Sequence, residues 1–580
     1  MQQKFFLKSR VQIGLVSLVL LPLGLVIGLI ATNGVNIPVS DEWLILGVAE
    51  KIHSGTLTVS DLFAQHHEHR LVFPKLIFAA LAFATSWNVK AEMYLSACLA
   101  LITVALTIYL SRFSSSTDKN SLFLVVVLNA WLIFSFAQYA NWLWGFQFPW
   151  FLINACLIGA VCLVALSRDS PNQFYWAAIP CFVASFSIAH GLLTWLALFP
   201  SIFALKGNNR KTLIRCAIWG LLFLGTLAIY LIDFQGTGDF ENLPSPTYVF
   251  EEPIKTLQYF FNLIGSPLTG FPATKLLPFI GLAVFLSFLF LTIRSMRLTR
   301  FGFDISERAA PWISIGLFAL LFAGVTTIGR AGFGADQAVA PRYVTPTLLL
   351  VVAIANLWRI RFSFNSFLFT SGILVAFLIN STNQSLLWIP GWHSQRQTEK
   401  ECFELVHFID LPHHCPTPLS EHSETLAANL ETLGFRDFPE TAQFISNPDK
   451  IHGDWNVDRS HSNETDPNER KRLILARNEE LQVSGWAILP ERREIPSLIL
   501  LSYGRRRKPN FFMSSSIDKP SPEAVKAYDS ERYSNAGWKT TISLSALPPG
   551  KTAIRAWVYD PDIKGFVGLN GKLKLNILDE

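Results

Sequence analysis

"FPKLIFAALAFATSW", residues 73–87, is apolar enough to enter a membrane but short for crossing one. As a helix its 15 residues cover about 22 Å, against about 30 Å of bilayer hydrocarbon. Arg70, Pro74 and Lys75 stand at its start, and Trp87 and Asn88 at its end. Whether it counts as a span decides the side of every later loop. The remaining apolar runs lie at roughly 11–32, 92–111, 121–139, 148–167, 173–189, 191–205, 212–233, 276–293, 310–329, 343–358 and 365–380. With those about eleven spans and 73–87 left out, the basic clusters gather on one face. They are Lys4/Lys8/Arg10, Arg112/Lys119, Arg168, Lys206/Arg210/Lys211, Arg294/Arg297/Arg300/Arg308 and Arg359/Arg361. Positive charge marks the cytoplasmic face. The expectation is therefore an interfacial or re-entrant helix at 73–87 on the outer side, with an ordinary short span as the alternative. The N-terminus is then inside, and everything after Asn380 outside.

The composition agrees with a polytopic membrane protein of the cytoplasmic membrane that carries a soluble addition. Of 580 residues, 51% are hydrophobic and only 16% charged. The net charge of +5 is spread through small clusters between apolar runs, which is topology signalling and not a nucleic-acid surface. The first apolar stretch is about twice a signal peptide's core and lacks a small-residue cleavage site, so it reads as a retained anchor.

After residue 380 the chain changes character. Residues 381–470 are polar, with one helical stretch, "LSEHSETLAANLETLGF" (419–435), and a linker-like passage, "NPDKIHGDWNVDRSHSNETDPNE" (447–469). Residues 471–580 alternate in strand fashion between turn residues, as a small all-β sandwich does. Five cysteines (98, 156, 162, 181 and 216) fall in spans. Cys402 and Cys415 lie in the exported part, where a disulfide or two free thiols are equally open. "YDPDIKG" (559–565) puts Asp560 and Asp562 around Pro561, which reads as a β-turn in preference to a metal-binding acidic pair.

Chemistry concentrates on the outer side. The 33–91 loop carries Asp41, Glu42, His66, His67, Glu68, His69 and Arg70. Three other outer pieces are "QYANWLWGFQFPW" (138–150), the long loop 234–275, and "GRAGFGADQAVAPRYVTP" (329–346). The spans themselves carry few polar groups, His190 being the chief exception. Asp41 and Glu42 after Ser40 are also ordinary first-turn residues behind a serine cap. In a helix His66 and His69 share a face while His66 and His67 do not.

An acidic pair soon after the first span, followed by "HRLVFPK" (69–75) leading into an interfacial helix, resembles the GT-C glycosyltransferases, such as protein O-mannosyltransferases and lipid A aminoarabinose transferases. The layout from 11 to 380 is similar, as it is to bacterial membrane proteins of unassigned function with "EHR…FPKL" and a late "RY" loop. The resemblance implies a polyprenyl-phosphate- or diphosphate-linked sugar donor, transfer with inversion, and a glycan, lipid or protein acceptor. It implies an acidic residue near the first span in catalysis, which Asp41 or Glu42 fits. On chemical grounds Arg330, Arg342 and Arg70 are candidates for the donor phosphate. Asn141 and Gln147 are candidates for the acceptor sugar, and His66, Glu68 and His69 for a divalent metal. The competing class is a non-catalytic transporter or scaffold that binds glycolipid or polysaccharide; transporters usually place polar groups near the midplane.

Overall fold

The computed structural model describes residues 2–114, 118–168, 170–205, 209–235, 244–272, 274–299, 302–410, 415, 422–446, 448–457, 472–506 and 508–578. Lys206, Arg300 and most of the linker-like passage, 458–469, lie outside the described residues. The chain divides into two compact units, Met1–Pro390 and Gly391–Glu580. The boundary falls inside a single helix, Phe364–Glu404.

The first unit is mostly apolar helix. Among the described residues nine helices are long and apolar enough to cross a bilayer: Val16–Asn33, Val89–Phe113, Lys119–Trp142, Gly145–Leu166, Arg210–Tyr230, Leu277–Arg294, Ala310–Phe333, Pro341–Arg361 and Phe364–Glu404. Two expected spans, 173–189 and 191–205, are not continuous helices. They form short pieces, Pro171–Ala177, Ala178–Ser185, Ala189–Leu192, Leu193–Ala197 and Phe199–Phe203. Pro171 and Pro200 lack an amide donor and sit at the starts of new pieces. At Gly191 a Cβ would strike the Ala184 carbonyl, so the chain turns back tightly there.

The 73–87 run becomes Val72–Thr85, a 14-residue apolar helix below spanning length. The expected outer loop 234–275 is not all loop. It holds the helix Pro253–Thr269, with a buried flank that includes Tyr259 and Asn262. That helix lies against Leu277–Arg294, where a Cβ on Gly281 would meet the Phe261 carbonyl.

The spans are also less barren than expected. Asn356 donates to Asn129 Oδ1 (3.1 Å), Ser111 donates to Asn356 Oδ1 (2.9 Å), and Arg359 donates to the Ser111 carbonyl (2.9 Å). All four residues are buried. Such amide and hydroxyl contacts join helices where apolar contact gives no preference over lipid.

The second unit contains a β-sheet region. Among the described residues ten strands run β1 Gln443–Ile445, β2 Gly453–Val457, β3 Arg472–Ala476, β4 Glu480–Ala487, β5 Leu498–Arg505, β6 Lys508–Ser516, β7 Gly537–Ser543, β8 Gly550–Asp560, β9 Gly565–Gly568 and β10 Leu573–Leu578. One sheet has the order β6-β5-β8-β9-β1, with β10 pairing both β8 and β3; the other is β7-β4-β2. Alternate residues of both sheets, among them Trp455, Val483, Leu501, Trp538, Ile554 and Leu575, close on one apolar core. The sheets thus begin earlier than residue 471, because β1 and β2 come from the stretch expected to be linker. Cys402 and Cys415 form a disulfide with Cα atoms 6.2 Å apart. Asp560 accepts from the Asp562 amide (3.0 Å), a turn-closing bond.

Candidate functional site

The loop after the first span is held by buried polar bolts. Glu42 turns inward, where its carboxylate accepts from the Val39 amide (2.7 Å) and the Phe146 amide (2.7 Å). Glu92, also buried, accepts from Trp87 Nε1 (3.1 Å). Gly145 leaves room for both acids: a Cβ there would fall 2.7 Å from Glu42 Oε1 and into Glu92. Glu42 is therefore part of the frame, a correction to its candidacy, with Asp41, for the catalytic acid. It is Val39, and not Ser40, that precedes the first helical turn, and Ser40 itself sits at φ +51°.

Two cations fix the rest of the loop. Lys75 Nζ donates to the carbonyls of Asp61 (2.9 Å), Leu62 (3.3 Å) and Ala64 (2.9 Å), at the end of a short helix that Thr58 caps through the Asp61 amide (3.2 Å). Arg70 donates to the carbonyls of Tyr230 (2.6 Å), Phe63 and Ile232, and is buried. Tyr230 in turn donates from its hydroxyl to the Glu68 carbonyl (2.6 Å). The expected phosphate role of Arg70 is corrected here: its guanidinium is committed to backbone oxygens and ties this loop to the end of the Asn209–Tyr230 helix.

Between these bolts the chain makes a hairpin and not a helix. Gln65–His66 pairs with His69–Arg70, with His66 opposite His69 and His67 in the left-handed region at φ +50°. A tight reversal lets adjacent histidines face one another, which a helix does not. The rings of His66 and His67 lie 4.4 Å apart, and His66 Nε2 is 3.9 Å from Asp41 Oδ1, too long for a hydrogen bond but close for a charge. One ligand atom each of Asp41, His66 and His67 lies within 4.8 Å of the others. The expected metal set of His66, Glu68 and His69 is corrected accordingly: the hairpin turns Glu68 and His69 elsewhere.

Glu68 reaches Arg330, 262 positions away, at 2.7 Å. His69 accepts from the Ala189 amide at Nδ1 (3.3 Å), so its proton sits on Nε2, which faces Glu68 Oε1 at 3.9 Å. His190 follows, 6.3 Å from His69 between ring centres and 3.2 Å from the Thr326 hydroxyl. Farther along, Gln337 joins the hydroxyls of Tyr259 and Tyr343 (2.8 Å to the latter), and the exposed Arg342 lies over the Tyr343 ring at 5.1 Å. The charges of Arg342 and Arg330 both reach Tyr259, and those of Asp41 and Arg330 both reach His67. Asp41, His66 and His67 thus lie together, and Arg330 joins their hairpin through Glu68.

The electrostatics follow from these neighbours. The His66 imidazole beside it holds the Asp41 carboxyl below its ordinary value, against the opposing effect of partial burial. Burial penalises the charge on Glu68, and His69 and Arg330 more than offset that, so its carboxyl also lies low. Burial pushes His69 down to about 4. At neutral pH His69 is thus uncharged, and Arg330 is the cation that keeps Glu68 ionised. Burial, aided by His66, lowers His67 as well. Among the described residues, His66 Nε2 and Glu68 Oε2 are buried without a hydrogen-bond partner.

Asn141 and Gln147 do not face this cluster as acceptor contacts, which corrects that expectation. Asn141 Nδ2 donates to the Arg342 carbonyl (3.1 Å) and Thr345 Oγ1 (2.6 Å), and Gln147 Oε1 accepts from Trp150 Nε1 (2.8 Å). Both are buried. Asn141 still matters, because it pins the segment that presents Arg342. Comparison with family models, with curated proteins and with solved structures finds no match for this chain.

Proposed function

We propose that the chain is a membrane glycosyltransferase that moves a sugar from a polyprenyl-phosphate-linked donor to an acceptor at the outer face of the cytoplasmic membrane. The observation that carries this reading is that Asp41, His66 and His67 lie together and that Arg330, from a distant part of the chain, joins their hairpin through Glu68. A base beside cations is what such transfer requires. Asp41 takes the acceptor hydroxyl's proton as that oxygen attacks the anomeric carbon; the bond from that carbon to the phosphate oxygen breaks, and the electron pair leaves on the phosphate. Arg342, exposed and with no acidic partner among the described residues, receives the developing charge. Arg330 is ion-paired with Glu68 at 2.7 Å and assists by orientation.

The sidedness is part of the proposal. The broken pieces between Pro171 and Phe203 form a hairpin through the membrane, which brings nine spans to eleven without changing which side any later loop lies on. Basic residues then set the N-terminus inside and the cluster outside. The sequence resemblance to GT-C glycosyltransferases and the position of Asp41 after the first span support the reading.

A second reading concerns a metal. Asp41, His66 and His67 offer one oxygen and two nitrogens in reach of one another, and the buried, unpartnered His66 Nε2 suits a divalent cation. Such an ion would supply positive charge beside the leaving phosphate. The test of the main reading uses cells that lack the chain and have altered envelope glycan. Wild type should restore the glycan, and Asp41→Asn, expressed and folded equally well, should not; full restoration by Asp41→Asn would remove the assignment.

A further inference from the structure

The second unit holds a cavity of about 510 Å³, within the range that small-molecule sites occupy. One wall is a helical face carrying Gln397, Lys400, Glu401 and Glu404, spaced so that all project the same way. The facing wall is the turn 489–498 together with Arg532 and Tyr559. Glu401 bolts the two walls together: its carboxylate accepts from the Ser497 amide (2.8 Å) and the Ser497 hydroxyl (2.8 Å), and from Gln397 Nε2 (3.2 Å). The site is thus built, with a fixed spacing.

Its mouth is where the charges stand unspent. The turn closes with reciprocal backbone bonds between Leu489 and Glu494 (2.9 and 3.2 Å) and forces Arg493 to φ +54°. A non-glycine residue there is under strain, and strain of this kind gathers where a side chain is being presented. Arg492 is occupied by Glu494 (2.9 Å) and Asp562. Arg493 and Arg532, both exposed, have no acidic partner among the described residues, and Arg532 Nη1 donates to the Arg493 carbonyl (3.3 Å). The Arg532 guanidinium thus lies at the Arg493 backbone, and both arginines line the cavity together with Gln397, Ser497 and Tyr559.

We propose that this cavity binds an acidic oligosaccharide, its carboxylate or phosphate held by Arg493 and Arg532 and its hydroxyls by Gln397, Ser497 and Tyr559. Arginine suits either anion because its fork matches both geometries. The inference is independent of the transfer reading, since it is tested by binding alone.

The experiment is calorimetric titration of the full chain in detergent with trigalacturonate, with maltotriose as the neutral sugar and inorganic phosphate as the bare anion. Trigalacturonate should bind about 10-fold or more tightly than either control. Arg493→Gly should fold as well as wild type, because glycine is at ease at that φ, and should still weaken trigalacturonate about 10-fold. Arg532→Ala should do the same, and added salt should weaken binding in wild type more than in either variant. Equal affinity for the two sugars, phosphate binding as tightly as trigalacturonate, no binding of any probe, or an Arg493→Gly variant that binds like wild type would each overturn the proposal.

Discussion

Replacing Arg70 with methionine removes a donor from three backbone carbonyls at once, those of Phe63, Tyr230 and Ile232. Methionine keeps most of the stem's packing, so the loss is mainly polar. An abandoned buried carbonyl costs about 1–3 kcal/mol, and partial access of water at Phe63 and Ile232 brings the sum to about 3–5 kcal/mol. Because these bonds join the 54–70 segment to the end of the Asn209–Tyr230 helix, the damage should be local. Limited proteolysis in detergent should find new cleavage between residues 54 and 70 in Arg70→Met, with the membrane helices still protected. Arg70→Lys should lie between the two, since a single ammonium reaches fewer carbonyls. Transfer activity should fall in proportion to loop opening and recover on cooling. An unchanged cleavage pattern combined with lost affinity for donor would refute the reasoning and return Arg70 to the phosphate.

Further outcomes follow from the same contacts. Gly145→Ala drives a methyl between Glu42 and Glu92, and should cost about 1–3 kcal/mol in thermal unfolding and lower expression. The stability of the loop should depend on pH through His69, whose folded value of about 4 lies below its ordinary 6.5. Folding favours the neutral ring, so this contribution is fully present above about pH 6.5 and is lost as pH falls through 4, at most about 3 kcal/mol. His69→Gln should flatten thermal shift curves in that window, and a curve identical to wild type would exclude His69 as the cause. If Asp41, His66 and His67 hold a divalent ion, His66→Ala and His67→Ala should each lower bound zinc in dialysed protein by about 10-fold or more; zinc content equal to wild type would end the metal reading.

How far the sequence carried depends on whether a feature is set by period or by partner. Val72–Thr85 was legible because length and flanking Arg70, Pro74 and Lys75 are local facts. So was the change to strands after 471, though β1 and β2 were hidden because three- and five-residue strands leave little alternation to detect. The breaks in the pieces near Gly191 were hidden because hydropathy averages over the interruptions at Pro171, Gly191 and Pro200. Arg330 and Arg342 stood out as positive charge on the disfavoured side, and Asp41 as an acid soon after the first span. Glu42, Arg70, Asn141 and Gln147 carried the same chemical signal, yet each is consumed by a contact that no local pattern announces. His67 was passed over because a helix was assumed where a two-residue hairpin forms. Nothing in the sequence marked Tyr259 or Gln337, which meet Tyr343 of the late "RY" loop only through the packing of Pro253–Thr269.

The most direct measurement is the rate at which purified protein transfers labelled sugar from a polyprenyl-phosphate-linked donor, wild type against Asp41→Asn and Arg342→Ala. A working base is worth about 100-fold or more, so Asp41→Asn should fall to about 1% of wild type, with Arg342→Ala reduced about 10-fold or more. Wild-type rates from a folded Asp41→Asn protein would contradict the account.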